Sequence, residues 1–136
     1  AGHFVRALYE GVAYSLRDCL EVMKSKDLGF TTARLTGGGA RSALWRQIVA
    51  DVLNITVELP AVADASFGAA LLAGVGVGIF KDERAAAEVV RIVSRVTPDP
   101  ARASVYDQGF PIYRDIQKAL APINHRIHAF AAGQNK

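Results

Sequence analysis

Three consecutive glycines, Gly37-Gly38-Gly39, constrain this chain more than any other feature. Glycine has no Cβ, so a run of three has no preference for regular structure and takes positive φ freely. The run therefore marks a turn. Before it, Ala33-Arg34-Leu35-Thr36 reads as a short extended segment. After it, Leu44, Trp45, Ile48, Val52 and Leu53 form a helical stripe, with Gln47, Asp51 and Asn54 on the opposite, polar face. Asn54 tolerates the left-handed conformation that often ends a helix. Ile55-Thr56-Val57-Glu58-Leu59 then alternates as a second strand, stopped by Pro60. Two strands joined through a helix are expected to be parallel neighbours with a right-handed crossover.

The flanking sequence is helical. From His3 to Met23, the residues Val5, Leu8, Val12, Leu16, Cys19 and Met23 lie on one face of a long amphipathic helix, with Arg6 and Glu10 placed to pair on its flank. Asp64 or Ser66 can cap a helix through Gly68-Ala69-Ala70-Leu71-Leu72-Ala73, which is apolar on every side and so is expected to be buried. Gly74, Gly76 and Gly78 should weaken its end. Asp82 to Val93 reads as a solvent-facing helix, and the arginines of this later stretch are dispersed among acids (Arg84, Glu88, Arg91, Arg95). Pro98 and Pro100 break the chain. A last helix from about Ser104 carries the stripe Tyr106, Phe110, Tyr113, Ile116 and Leu120, with Pro111 and Pro122 placed to kink or split it, and 133–136 should fray. Only two short parallel strands emerge. Two strands make a poor sheet, which implies that its other strands lie elsewhere in a longer polypeptide.

Composition bounds the class. At 136 residues, 51% hydrophobic and 21% charged, the chain suits one globular domain rather than a disordered segment. The formal charge of +3 comes from the later, arginine-rich stretch, where the arginines form no run, so no nucleic-acid surface is expected. Cys19 is the single cysteine, which precludes an intrachain disulfide, fits a reducing cytoplasm and reads as a small core residue. The longest apolar stretch, Phe67 to Phe80, is shorter than the roughly 20 residues a membrane span needs. The start, Ala1-Gly2-His3-Phe4-Val5-Arg6, carries no signal-peptide pattern, and its immediate helical character suggests a piece of something longer.

One constellation carries chemistry: Leu35-Thr36-Gly37-Gly38-Gly39-Ala40-Arg41-Ser42. A strand delivers the chain to a turn, and a helix starts directly behind it. Backbone N–H groups at a helix start are unpaired and carry partial positive charge, so an anion is favoured there. Glycines keep side chains out of the way of a phosphate or ribose, Ser42 adds a hydroxyl and Arg41 a charge. The same pattern also serves as a plain strand-to-helix turn with no ligand. It is neither a P-loop, lacking the Gly-Lys-Ser/Thr ending, nor a GxGxxG dinucleotide fingerprint.

The run Thr36-Gly37-Gly38-Gly39-Ala40-Arg41-Ser42-Ala43-Leu44-Trp45-Arg46-Gln47-Ile48-Val49-Ala50-Asp51-Val52-Leu53 closely resembles the adenosine-motif segment of FGGY carbohydrate kinases, their xylulokinase members in particular. Arg6 to Asp18 is similar to the helix preceding that motif, and Asp64 to Ala73 to the helix following it. The likeness runs from about Phe4 to Phe80. It departs at Asn54, where a glycine is common, and at Ser66-Phe67, where relatives carry smaller residues.

The resemblance implies a fold and an activity. The fold is an α/β, actin/Hsp70/hexokinase-like (ribonuclease H-like) ATPase domain, with residues 1–132 as its helix-rich C-terminal nucleotide-binding segment. The activity is transfer of the ATP γ-phosphate, with Mg²⁺, to a sugar hydroxyl, foremost D-xylulose to xylulose 5-phosphate; ribulose, fuculose or gluconate are alternatives. Gly37, Gly38, Gly39 and Ala40 would lie against the adenosine and phosphates of ATP or ADP, and Ser42 near the adenine or ribose. The family's catalytic Asp lies upstream and its sugar contacts come from the N-terminal domain, so no catalytic residue is assigned and the segment alone should be inactive. A noncatalytic helical interaction module of the same shape is the contrasting reading. No membrane partner is expected. A lobe cut from its domain should expose apolar surface on its first and buried helices and self-associate, as a homodimer for example.

Other residues read as structural. Asp51 suggests a solvated or capping carboxylate. His125 and His128 lack the partners a metal site needs. Trp45 reads as core or a wall behind the glycine turn, and Glu10 and Arg17 as members of ion pairs.

Overall fold

The computed structural model describes residues 2–133; 134–136, most of the stretch expected to fray, lie outside the described residues. The order is α1 (Gly2–Lys24), β1 (Thr32–Arg34), a short 3₁₀ turn (Gly38–Arg41), α2 (Ala43–Leu53), β2 (Thr56–Pro60), α3 (Ala65–Gly76), α4 (Glu83–Glu88), β3 (Ile92–Val96) and α5 (Pro100–Gly133). The sheet runs β1-β2-β3. β1 and β2 are parallel, with Ala33 opposite Val57, as the strand–helix–strand pattern implies. β3 is antiparallel to β2, with Glu58 opposite Arg95.

β3 corrects the expected helix over Asp82 to Val93. That helix is only α4, started by the Asp82 carboxylate accepting from the Ala85 N–H at 2.8 Å. Ile92-Val93-Ser94-Arg95-Val96 is β-branched at Ile92, Val93 and Val96 and finds a free ladder along β2, so it pairs. Arg95 is therefore a cross-strand partner of Glu58 at 2.8 Å rather than part of a solvated helix face.

The core forms where α2 is enclosed by α1, α5 and β2. It gathers Ala13 and Leu20 from α1, Ile48, Val49, Ala50, Val52 and Leu53 from α2, then Ile55, Val57 and Tyr106. Full burial of a side chain the size of Ile48 or Val52 contributes about 2 kcal/mol. Asp51 belongs to this core and is 1% exposed, contrary to its expected solvated position. Its carboxylate accepts from Arg102 Nε at 2.6 Å, the Asp99 N–H at 2.8 Å and Gln47 Nε2 at 2.8 Å. These bonds tie α2 to the first turn of α5, which starts earlier than expected. Asp99 Oδ1 accepts from the Ala101 N–H and Pro100 opens the helix, a position that suits proline. α5 then runs unbroken past Pro111 and Pro122.

Arg17 joins three helices. It donates to the Val52 carbonyl at 3.1 Å, pairs with Asp107 at 2.6 Å and lies 4.6 Å from the centre of the Phe110 ring. Arg6 and Glu10 pair at 2.8 Å, and the Tyr106 hydroxyl donates to Glu10 at 2.7 Å. Burial, then the bond to Glu10, push the Tyr106 phenol up from its usual pKa.

The apolar stripe of α1 faces outward, as suits a lobe cut from its domain: Val5, Leu8, Val12, Leu16 and Met23 are exposed, and so is Cys19, which was expected in the core. Ala13 and Leu20, on another face, make the packing contact. α3 is likewise exposed, with Gly74 its one buried residue. It packs on α4 and ends as its glycines predict. Gly78 takes φ 78°, its N–H donating to the Val75 carbonyl and the Ile79 N–H to the Gly74 carbonyl, a Schellman closure. Among the described residues, no helix is long and apolar enough to cross a membrane.

Candidate functional site

The glycine run is neither buried nor absorbed into α2. Gly37, Gly38 and Gly39 are exposed, and Ser42, in extended conformation, separates their turn from the helix. Gly37 has φ 82°, a conformation that glycine takes without strain. Its N–H donates to the Ala63 carbonyl at 2.7 Å, which fixes the turn to the loop after β2. The following residues wind into the 3₁₀ turn, closed by Ala40 N–H to the Gly37 carbonyl at 3.1 Å and Ser42 N–H to the Gly39 carbonyl at 3.0 Å. The Gly38 and Gly39 amides have no acceptor among the described residues. Open donors at a helical start suit an anion.

The predicted site residues divide by role. Gly37 and Gly38 line a cleft of about 570 Å³, together with Arg41, the end of β2, the segment Ala61 to Ala65, and Val93 of β3. That size suits a small-molecule site. A Cβ added at Gly38 would meet no atom within 4 Å, so the space beside it is open. A Cβ at Gly39 would press on the Trp45 ring at 3.3 Å, which makes Trp45 the wall behind the turn. Ala40 is fully buried, and its carbonyl accepts from Arg46 Nη1 at 2.6 Å. Ser42 caps α2, its Oγ accepting from the Trp45 N–H at 3.2 Å, and it does not line the cleft. Its hydroxyl proton remains available to another acceptor.

The cleft carries charges of both signs. Arg41 is exposed and makes no ion pair or side-chain hydrogen bond among the described residues, so it is available to an anion. Asp64 caps α3, accepting from the Ser66 N–H at 2.9 Å and the Ser66 hydroxyl at 2.9 Å. Those bonds, with a smaller effect from Arg41, hold its carboxyl below the usual range. Beyond Asp64 lies a second hollow of about 370 Å³ between α3, α4 and the strand ends, walled mainly by apolar side chains such as Phe67, Leu71 and Val90.

Sequence reasoning missed two supports of the turn, the Ala63 carbonyl and the Arg46 guanidinium, and one wall of the cleft, Val93. Arg46 and Ala63 act through tertiary contacts that no local pattern announces. Val93 was legible in the β-branched residues of Ile92-Val93-Ser94-Arg95-Val96. His125 and His128 stand exposed on α5, and among the described residues no group of three or more His, Cys, Asp or Glu side chains could hold a metal.

The sequence model of the C-terminal domain of the FGGY family of carbohydrate kinases matches residues 1–77. The L-xylulose/3-keto-L-gulonate kinase of Escherichia coli K12 is 35% identical over 127 residues, 92% of this chain and 26% of that protein. Glycerol kinase 2 of Thermotoga maritima is 40% identical over 98 residues, 71% of this chain and 20% of that protein. Among solved structures, the xylulose kinase from Rhodospirillum rubrum superposes with a TM-score of 0.75 at 34% identity, over 91% of this chain and 26% of that one. The chain thus spans about a quarter of the length of the relatives it matches. A family match over more than half of the sequence, with identity and backbone shared along nearly all of it, places this chain in the FGGY family of carbohydrate kinases, at the C-terminal domain.

Proposed function

We propose that this chain is the nucleotide-holding part of an ATP-dependent sugar kinase, which moves the γ-phosphate of ATP to a sugar hydroxyl. The observation that carries this reading is the exposed Gly37–Gly39 turn, with two open amides beside a cleft. Phosphoryl transfer depends on positioning and on stabilising charge rather than on covalent chemistry by the protein. The residues present fit the first task. Gly38 leaves room beside the turn, its amide and that of Gly39 can donate to phosphate oxygens, and Arg41 can add positive charge. The Gly37 bond to Ala63 and the Arg46 bond to Ala40 keep the turn rigid. Ser42, beside the turn, can offer its hydroxyl to the nucleoside. For Mg²⁺ the chain offers no cluster of ligands among its described residues.

D-Xylulose is the foremost substrate, supported by the relatives named xylulose kinase, such as that of Bacillus subtilis at 30% identity. Relatives named glycerol kinase and gluconate kinase align with the same segment, which supports the nucleotide role more strongly than any one sugar. The segment alone should transfer no phosphate, because the parts that hold and activate the sugar lie in the remainder of such a kinase.

Isothermal titration with Mg²⁺–ADP tests the reading. Gly38→Val projects into open space, so the fold should persist while the added side chain occupies the cleft. Wild type should bind weakly, and the variant at least about tenfold more weakly, a loss of about 1.4 kcal/mol. Identical isotherms for a folded variant would count against the turn as the nucleotide site.

A further inference from the structure

Among the described residues, two charged side chains line the cleft beside the glycine turn, Arg41 and Asp64; the rest of its lining is glycine or apolar. Arg41 suits a phosphate. A carboxylate does not, since it repels the charge that the turn and Arg41 attract. Its place in the same cleft therefore calls for a hydrogen-bond donor on the part of the ligand that it faces.

The backbone fixes Asp64 close to the turn. The Gly37 N–H donates to the Ala63 carbonyl at 2.7 Å, so Gly38 and Asp64 each stand one residue from the same bond. The carboxylate is anchored through one oxygen. Its Oδ1 accepts from the Ser66 N–H and from the Ser66 hydroxyl, each at 2.9 Å. Among the described residues no donor bonds to Oδ2. A helix cap needs one oxygen and no charge, and serine or asparagine serves there as well. What aspartate adds is a second, ionised oxygen. The bonds from Ser66, with a smaller effect from Arg41, keep the carboxyl below its usual range, so at neutral pH it only accepts.

We propose that Asp64 Oδ2 accepts hydrogen bonds from the ribose hydroxyls of the nucleotide, and so selects nucleotides in which those hydroxyls are present and free. The inference rests on the nucleotide reading of the turn and extends it from the phosphates to the sugar. ADP carries donors in two places, the ribose hydroxyls and the exocyclic amine of adenine. The ribose adjoins the phosphates, whereas the amine stands at the far edge of the base. With the phosphates at Gly38 and Arg41, the donor nearest a residue tethered to the turn is the ribose. Phosphate on one side and diol on the other then give each charge in the cleft its own part of the ligand.

Amide chemical shifts of the full chain, titrated with ADP and with 2′,3′-dideoxy-ADP, test it, because they read weak binding and show where it falls. Wild type should bind ADP about tenfold more tightly than the dideoxy nucleotide, the low end for hydrogen bonds to a charged group, as suits an open site. Asp64→Ser keeps a capping oxygen and loses the free one. It should bind both nucleotides alike, the dideoxy form no more weakly than wild type does. Asp64→Asn, of the same shape and also a good cap, should reduce the preference too, so the result does not hang on one variant's fold. Equal wild-type affinities, with Gly38 and Gly39 shifting, overturn the ribose role and leave the turn as the nucleotide site. A folded Asp64→Ser that keeps the preference overturns it as well. So does a preference that disappears in EDTA, which would assign the carboxylate to Mg²⁺. No shift at Gly38 or Gly39 with ADP removes the nucleotide reading, and this inference with it.

Discussion

α2 and α3 each follow a strand, start at a side-chain cap (Ser42 and Asp64) and measure 11 and 12 residues. By composition α3 is the core helix, with no charged or amide side chain between Ala65 and Gly76, whereas α2 carries Arg46, Gln47 and Asp51. Burial is the reverse. α2 buries Ile48 to Leu53 without interruption, Asp51 included, and α3 buries Gly74 alone. α2 has neighbours on three sides, and its one buried charge is satisfied by Arg102, Asp99 and Gln47. An apolar helix therefore signals that a cover is needed. It does not signal that the cover lies in the same stretch of chain. The relatives, about four times as long, have ample polypeptide to provide one.

The sharpest way to break this contrast is to remove a similar side chain from each helix. Ile48→Ala should cost about 3 kcal/mol, because its site is 1% exposed and collapses only partly around the lost atoms. Leu72→Ala, 63% exposed, should stay within about 0.5 kcal/mol. Urea unfolding reads both; equal losses would mean that α3 is covered in solution. Next in size is Asp51→Asn. Weakening the Arg102 pair, and turning one carboxylate oxygen into an amide donor, should cost about 2 kcal/mol, with half-exposed Arg102 limiting the loss. A loss below about 0.5 kcal/mol would return Asp51 to the solvated role its polar helix face suggested.

Local signals in the sequence held and tertiary ones did not. The glycine turn, the left-handed Asn54 at φ 52° and the end of α3 all depend on conformational preferences of single residues, and the one longer-range expectation that held, the parallel pairing of β1 with β2, follows from the strand–helix–strand order. Those preferences act wherever the residue stands. β3 was missed because Asp82 and Glu83 gave a helix start, while the β-branched residues that favour a strand came later. The outward stripe of α1 was legible as a face, but periodicity reports a face without naming its partner. At the site, Gly37 and Gly38 were legible as glycines needed for shape. The Arg46 side chain folds back onto the carbonyl of buried Ala40, which spacing alone does not show, whereas the Ser42 cap is a local bond to the N–H three residues on.

Two smaller effects sharpen the contrast at the ends of the elements. Ser42→Ala removes the acceptor for the Trp45 N–H and should cost about 1 kcal/mol in urea unfolding. An unchanged midpoint would mean that Trp45 holds the start of α2 without the cap. The smallest effect concerns Glu58, which bridges the strands by bonding Arg95 at 2.8 Å and meeting Arg34 at 3.5 Å. The Arg95 hydrogen bond, more than the Arg34 contact, holds the Glu58 carboxyl below its ordinary value of 4.5. In this window the unfolded chain binds the proton more readily than the folded one, so the contribution is present above pH 4.5 and fades as acid approaches the depressed pKa. Both arginines are well exposed, which limits the contribution to a few tenths of a kcal/mol. Thermal melts from pH 6 down to pH 3 should therefore decline slightly less steeply for Glu58→Gln than for wild type. Parallel declines would mean that the ladder across β1, β2 and β3 is carried by its backbone bonds and by Val57 packing, with the charges contributing nothing.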